Sequence, residues 1–79
     1  MDSTIETKRE YGHYYRDVSQ LEVIDVYRVL ELFEVTNPCL QHALKKILIA
    51  GKRGAKDMDK DIQEAIDTLK RLQDMRKGL

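Results

Sequence analysis

The sequence predicts a small all-α domain of three helices that assembles as a homo-oligomer. Three segments repeat apolar residues with helical spacing, and helix-capping or helix-breaking residues separate them. A chain of 79 residues has a thin core, and its single cysteine, Cys39, leaves no internal disulfide to stabilise it. Because no cysteine–histidine pattern offers a structural zinc site, self-association is the remaining way to stabilise the fold.

The predicted organisation is a flexible arm over residues 1–10 and a single helical domain over residues 11–79. The arm is polar, mixed in charge and without periodicity. The first helix is predicted over residues 20–35, because Ser19 and Glu22 have the spacing of a capping box. Its polar residues fall at every third position, so apolar side chains cover nearly the whole circumference. This pattern favours self-association through the first helix, and the predicted oligomer forms through the first and third helices.

The second helix is predicted from Pro38 to Ala50, with Asn37 as its cap and Gly51 at its end. Apolar residues with helical spacing are expected to be buried along it: Leu40, Ala43, Leu44, Ile47 and Leu48.

The third helix is predicted from Met58 to Lys77, capped by Asp57 or Asp59. Apolar residues along it alternate in steps of four and three, which is typical of a helix that packs on another helix: Met58, Ile62, Ala65, Leu69 and Leu72.

A basic, glycine-containing loop between the second and third helices is a candidate anion site. The amides of Gly54 and Ala55 and the positive end of the third helix would assist the cations that surround it, which are Lys45, Lys46, Lys52, Arg53, Lys56 and Lys60. The alternative is a solvated loop with favourable helix-end charges, because three nearby aspartates would repel a phosphate. The frame of a Walker P-loop is missing.

An aromatic cluster near the start of the domain is a second candidate. Its ring and cationic side chains could stack on a base and hold a sugar-phosphate, and the residues expected to do so are Tyr11, His13, Tyr14 and Arg16. Alternatively, the rings only cover the end of the helical bundle. His42, on the polar side of the second helix, is interpreted as a bystander.

Two carboxylate pairs, Glu31 with Glu34 and Glu64 with Asp67, have the spacing of a magnesium site for nucleotide hydrolysis. Their layout resembles that of the all-α nucleoside triphosphate pyrophosphohydrolases. Since acids are frequent in this chain, chance pairs of this kind are expected, and no cofactor is predicted unless the chain is an enzyme that uses magnesium. No Ser/His/Asp or Cys/His set is evident.

Charge and hydropathy limit the partners and the location. The net charge is zero, which argues against broad binding to duplex nucleic acid. No apolar run is long enough for a membrane span and no leader pattern occurs, so neither a membrane protein nor a secreted precursor is expected. The lone thiol fits the cytoplasm.

Four segments in order resemble the SaV-like family of small bacteriophage proteins. They are residues 13–14, 22–26, 42–52 and 60–69, and the resemblance covers roughly residues 13–72. Some family members are described as nucleotide kinases, and a related domain occurs in a phage enzyme that phosphorylates deoxynucleoside monophosphates without a P-loop. The resemblance implies an infected host cell as the location, and His13, Tyr14, Lys45 and Lys52 as site residues.

The chain departs from the family pattern at four positions. Ile49 replaces an arginine, Lys46 a tyrosine, Glu64 a lysine and Thr68 a tyrosine. These departures weaken a kinase interpretation more than they weaken nucleotide binding.

Three functions follow as hypotheses. The first is a phage protein that binds a nucleotide-like small molecule and sequesters a host defence signal, as a sponge. The second is an enzyme, either a nucleoside monophosphate kinase or a magnesium-dependent nucleotide hydrolase. The third is a protein–protein inhibitor of a host factor.

Overall fold

Three helices follow one another in the computed structural model of the chain, which describes residues 12–52, 54 and 57–79. Helix α1 spans Val26–Leu32, α2 spans Pro38–Leu48 and α3 spans Asp57–Arg76, and a 3₁₀ turn at Gly12–Tyr14 precedes them. The described residues contain no strand, so the predicted all-α class is confirmed. No helix in these ranges is both long and apolar enough to cross a bilayer. The arm predicted over residues 1–10 lies outside the described residues.

Helix α1 is much shorter than the sequence predicts. Its N-cap is Asp25, whose Oδ1 accepts a hydrogen bond from the Arg28 backbone N–H at 2.8 Å. The predicted start at Ser19 is wrong, because the Ser19 backbone N–H donates to Asp17 Oδ1 at 2.8 Å and forms a local turn. Half of the apolar residues that would have surrounded a helix over residues 20–35 therefore lie outside α1, and that reason for self-association through α1 is lost.

A tight corner joins α1 to α2. Glu34 has a left-handed backbone with φ of 54°, and its N–H donates to the Glu31 carbonyl at 3.0 Å. The Val35 N–H donates to the Leu30 carbonyl at 2.9 Å, which completes the hydrogen bonds of a Schellman motif. Helix α2 begins three residues after Val35, at Pro38.

The start of α2 agrees with the prediction. Asn37 Oδ1 accepts hydrogen bonds from the backbone N–H groups of Cys39 and Leu40, at 2.9 and 3.1 Å, and Pro38 occupies the first helical position. The helix ends at Leu48 rather than Ala50. Gly51, with φ of 75°, lies in the turn that follows.

Helices α2 and α3 form an antiparallel hairpin. A Cβ on Gly51 would lie 2.6 Å from Met58 Cε, so the chain passes close to the first turn of α3 there. Ala43 and Ala65 are 2% and 4% exposed, and such small side chains let the two helices approach closely. Helix α3 begins at Asp57 and ends at Arg76, each one residue before its predicted bound.

The core of a single copy is small. Within the described residues, the buried apolar side chains are Leu30, Ala43 and Ala65. Burial of Ala43 was predicted correctly. The same prediction is wrong for Leu40, Ile47 and Leu48, which are 40–55% exposed. One copy of the chain therefore leaves much of the apolar surface of α2 in contact with water.

A candidate ligand-binding groove between α1 and α2

A groove of about 510 Å³ lies between α1 and α2. This volume is within the range of small-molecule sites in proteins. The side chains in its walls combine aromatic, cationic, acidic and apolar groups, and they are Tyr27, Leu30, Glu31, Val35, Thr36, Pro38, Gln41, His42 and Lys45.

Lys45 and Tyr27 face each other across the groove. Lys45 Nζ donates a hydrogen bond to Tyr27 Oη at 3.1 Å and lies 4.9 Å from the centre of the tyrosine ring. Tyr27 is 63% exposed, so most of its ring remains accessible. The ammonium group is thus held beside an open aromatic surface, where cation–π attraction supports it.

His42 and Glu31 complete the polar part of the wall. His42 is exposed on α2, one turn before Lys46 and three residues before Lys45, and can present a ring nitrogen to a ligand. Glu31 Oε1 accepts a hydrogen bond from Arg28 Nη1 at 2.7 Å, which partly offsets its negative charge. Tyr27 and Glu31 also line a second, smaller pocket of about 230 Å³, on the side of Asp25 and Arg28.

Lys46, the neighbour of Lys45, points to α3 instead. Its Nζ lies 2.6 Å from Glu64 Oε2 and 3.6 Å from Oδ1 of Asp61, a fully buried carboxylate. The hydrogen bond from Lys46 lowers the pKa of Glu64 below its ordinary value of 4.5, and this effect exceeds the opposing effect of burial. Lys46 therefore joins the two helices of the hairpin.

Arg16 of the aromatic cluster is engaged within the chain. Its Nε donates to the Leu32 carbonyl at 2.5 Å, and its Nη1 donates to the carbonyls of Tyr15 and His13 at 2.6 and 3.2 Å. The guanidinium carbon also lies 4.5 Å from the centre of the Phe33 ring. Arg16 thus fastens the segment before α1 to the end of that helix.

The other predicted site residues do not line the groove. The rings of His13 and Tyr14 lie against each other with their centres 4.1 Å apart, and both residues are exposed. Lys52 and Lys60 are exposed beside the turn between α2 and α3. Tyr11, Arg53 and Lys56 lie outside the described residues. Of the predicted site residues that the structure describes, Lys45 alone is in the groove wall.

Tyr27 was not predicted to line a site and His42 was interpreted as a bystander, yet both lie in the wall of the groove. Tyr27 was assigned to a continuous apolar surface of a longer helix, and no periodic pattern connects it to Lys45, which lies 18 positions away. Asp25 is the sequence signal that could have identified Tyr27, because an N-cap at this position predicts a short α1. A helix that begins there places Tyr27 and Leu30 beside Pro38 at the start of α2.

The two carboxylate pairs do not form one site among the described residues. Glu31 binds Arg28, Glu64 binds Lys46, and Asp67 Oδ1 accepts a hydrogen bond from Gln63 at 2.8 Å. In the part of the chain that the structure describes, no group of three or more histidine, cysteine or acidic side chains could hold a metal ion.

Comparison of the chain with protein-family models, with curated proteins and with solved structures finds no match. The resemblance to the SaV-like family stays a prediction.

Proposed function

We propose that this chain binds a phosphate-bearing, nucleotide-like small molecule in the groove between α1 and α2. The observation that carries this proposal is the position of Lys45 Nζ, 3.1 Å from Tyr27 Oη and 4.9 Å from the ring centre. A cation beside an open aromatic ring suits a ligand that joins a flat base to a phosphate. The base stacks on the ring, and the phosphate accepts a charge-assisted hydrogen bond from the ammonium.

Other side chains of the groove suit the same ligand. His42 offers a second donor on the wall that carries Lys45, and the Thr36 hydroxyl and Glu31 carboxylate can hydrogen-bond to a sugar. Glu31 would repel a phosphate if it were alone. Its ion pair with Arg28, at 2.7 Å, weakens that repulsion.

The proposed role is binding without conversion. As a bacteriophage protein in the cytoplasm of an infected host cell, the chain would sequester a nucleotide signal of host defence. The phage context rests on the resemblance over residues 13–72.

The protein is further proposed to act as a homo-oligomer. Support comes from its small apolar core and from the apolar side chains that one copy leaves exposed on α2 and α3.

A thermal-shift screen followed by calorimetric titration tests the ligand site. Linear and cyclic nucleotides serve as probes, up to millimolar concentration, and inorganic phosphate shows whether the base is needed. Lys45→Ala is expected to reduce affinity for the best nucleotide by roughly 1.5–3 kcal/mol, the value of a charge-assisted hydrogen bond.

Lys52→Ala is the matched control, since it removes an exposed lysine outside the groove. Its affinity should equal that of the wild type. Loss of binding in Lys52→Ala but not in Lys45→Ala would move the site to the basic loop, and no shift with any nucleotide would refute the proposed function.

A further inference from the structure

An apolar face covers one side of the α2–α3 hairpin. Lys46, Asp61 and Glu64 lie on one side of the contact between these helices. Ile47 and Ile62, which directly follow Lys46 and Asp61, are turned about 100° further around their helices and lie on the other side. Six apolar side chains on that side of the hairpin are 37–55% exposed and form the apolar face: Leu40, Ile47, Met58, Ile62, Ile66 and Leu69.

The size of the apolar face indicates that it is covered in the working protein. Six side chains of this exposure present on the order of 500 Å² of apolar surface, near the upper limit for a monomer. Two copies that joined this face would bury on the order of 1,000 Å², which is enough for a specific interface. The small core of one copy gives an independent reason for such a pairing.

The part of the apolar face on α3 is nearly symmetric along the helix. Met58 and Leu69 lie at its two ends, and Ile62 and Ile66 lie equally far from position 64. A second α3 that runs in the opposite direction therefore places Met58 opposite Leu69 and Ile62 opposite Ile66. The same face then serves both copies, as two-fold symmetry requires.

Charges beside the apolar face favour the same orientation. Asp59 and Lys70 are exposed along one edge of it, and they lie five and six residues from position 64. In the antiparallel arrangement Asp59 of each copy comes beside Lys70 of the other. Exposed pairs of this kind contribute little to stability, but they select orientation.

We infer that α3 packs antiparallel on α3 of a second copy. The two-fold axis passes through the apolar face at the level of position 64 along the helix. This pairing specifies the self-association in the proposed function. It leaves the nucleotide groove open, because Lys45 and His42 lie on another side of α2.

Paired substitutions test this arrangement by native mass spectrometry and sedimentation equilibrium. The wild type is expected to contain an even number of 9.3 kDa chains. Ile62→Glu and Ile66→Lys should each lower the assembled mass, because each places a charge opposite an isoleucine. The double variant should regain the wild-type mass, since each introduced carboxylate then faces an introduced ammonium.

Val23→Glu is the matched control, because Val23 is 86% exposed and lies outside the apolar face. It should keep the wild-type mass. Circular dichroism checks that the variants stay helical, which is expected because Ile62 and Ile66 are 45% and 41% exposed in one copy. A monomeric wild type, helical single variants of unchanged mass, or a double variant that does not reassemble would each overturn the pairing.

Nucleotide titration separates this inference from the proposed function. Ile62→Glu should bind the nucleotide as the wild type does, whereas Lys45→Ala should lose affinity at unchanged mass. The α3–α3 pairing and the proposed nucleotide binding can therefore be refuted independently of each other.

Discussion

Lys46 Nζ lies 2.6 Å from Glu64 Oε2, and this ion pair joins α2 to α3 beside the buried carboxylate of Asp61. The lysine side chain is only 20% exposed, while Asp61 is inaccessible to solvent. A charge in such a position is tolerated only when an opposite charge accompanies it. Lys46 therefore stabilises the α2–α3 hairpin, whether or not a ligand is bound.

Lys46→Met should destabilise the protein by about 3 kcal/mol, because it removes a largely buried cation that pairs with Glu64 and lies 3.6 Å from the buried Asp61 carboxylate. Urea denaturation at fixed protein concentration measures the loss. Lys45→Met, at the neighbouring position, is the control and should cost about 1 kcal/mol or less, because Lys45 faces the open groove. Equal losses in the two variants would contradict a structural role that is special to Lys46.

Glu64→Gln should change the pH dependence of stability. Because the pKa of Glu64 is lowered in the folded state, its ionisation stabilises the fold above the ordinary value of 4.5, and this contribution is lost as the pH falls through the lowered pKa. The glutamine variant should be the less stable protein near neutral pH, and the difference should shrink in acid. Melting temperatures across this range test it, and a difference that is independent of pH would count against the ion pair.

Tyr27 should contribute to ligand binding through its ring rather than its hydroxyl. Tyr27→Leu is expected to reduce affinity for the best nucleotide about tenfold or more, because stacking contributes about 1–3 kcal/mol per base. Tyr27→Phe keeps the ring and loses only the hydrogen bond to Lys45, so its effect should be much smaller. Calorimetric titration distinguishes the two, and equal losses would show that the base does not stack on Tyr27.

Glu34→Gly should stabilise the corner between α1 and α2. Glu34 has φ of 54°, a conformation that costs an L-residue about 1–2 kcal/mol and costs glycine nothing. A gain of about 0.5–1 kcal/mol is expected in chemical denaturation, because the greater freedom of glycine in the unfolded chain offsets part of it. Glu31→Gly, within α1, should instead destabilise by about 1 kcal/mol. A loss of stability in both variants would refute the explanation that the left-handed backbone at Glu34 is strained.

The sequence predicted the helices best where local chemistry decides them. Asn37 and Pro38 define the start of α2 through short-range hydrogen bonds and a fixed φ, and both are confirmed. The prediction of a capping box at Ser19 was wrong because Asp17 accepts the hydrogen bond from the Ser19 backbone N–H. A capping box and a local turn have similar energies, and residue spacing alone does not rank them.

The site was less predictable because it depends on contacts between distant residues. Lys45 and Lys46 are adjacent cations in the sequence, yet one faces the groove and the other joins Asp61 and Glu64. Which of them faces outward depends on where α3 packs. Asp61 was expected to be one of the aspartates that would repel a ligand, whereas it is buried in the structure.

The corner between α1 and α2 has a consequence for the way a ligand would be captured. Glu34 and Val35 donate to the last turn of α1, Asn37 caps α2, and Gln41 Nε2 donates to the Val35 carbonyl at 2.8 Å, so both helix ends are held within a few residues. The groove walls are thereby preorganised, and little conformational entropy is lost on association. Capture should therefore resemble docking into a ready-made cleft, with an association rate limited by encounter rather than by rearrangement of the helices.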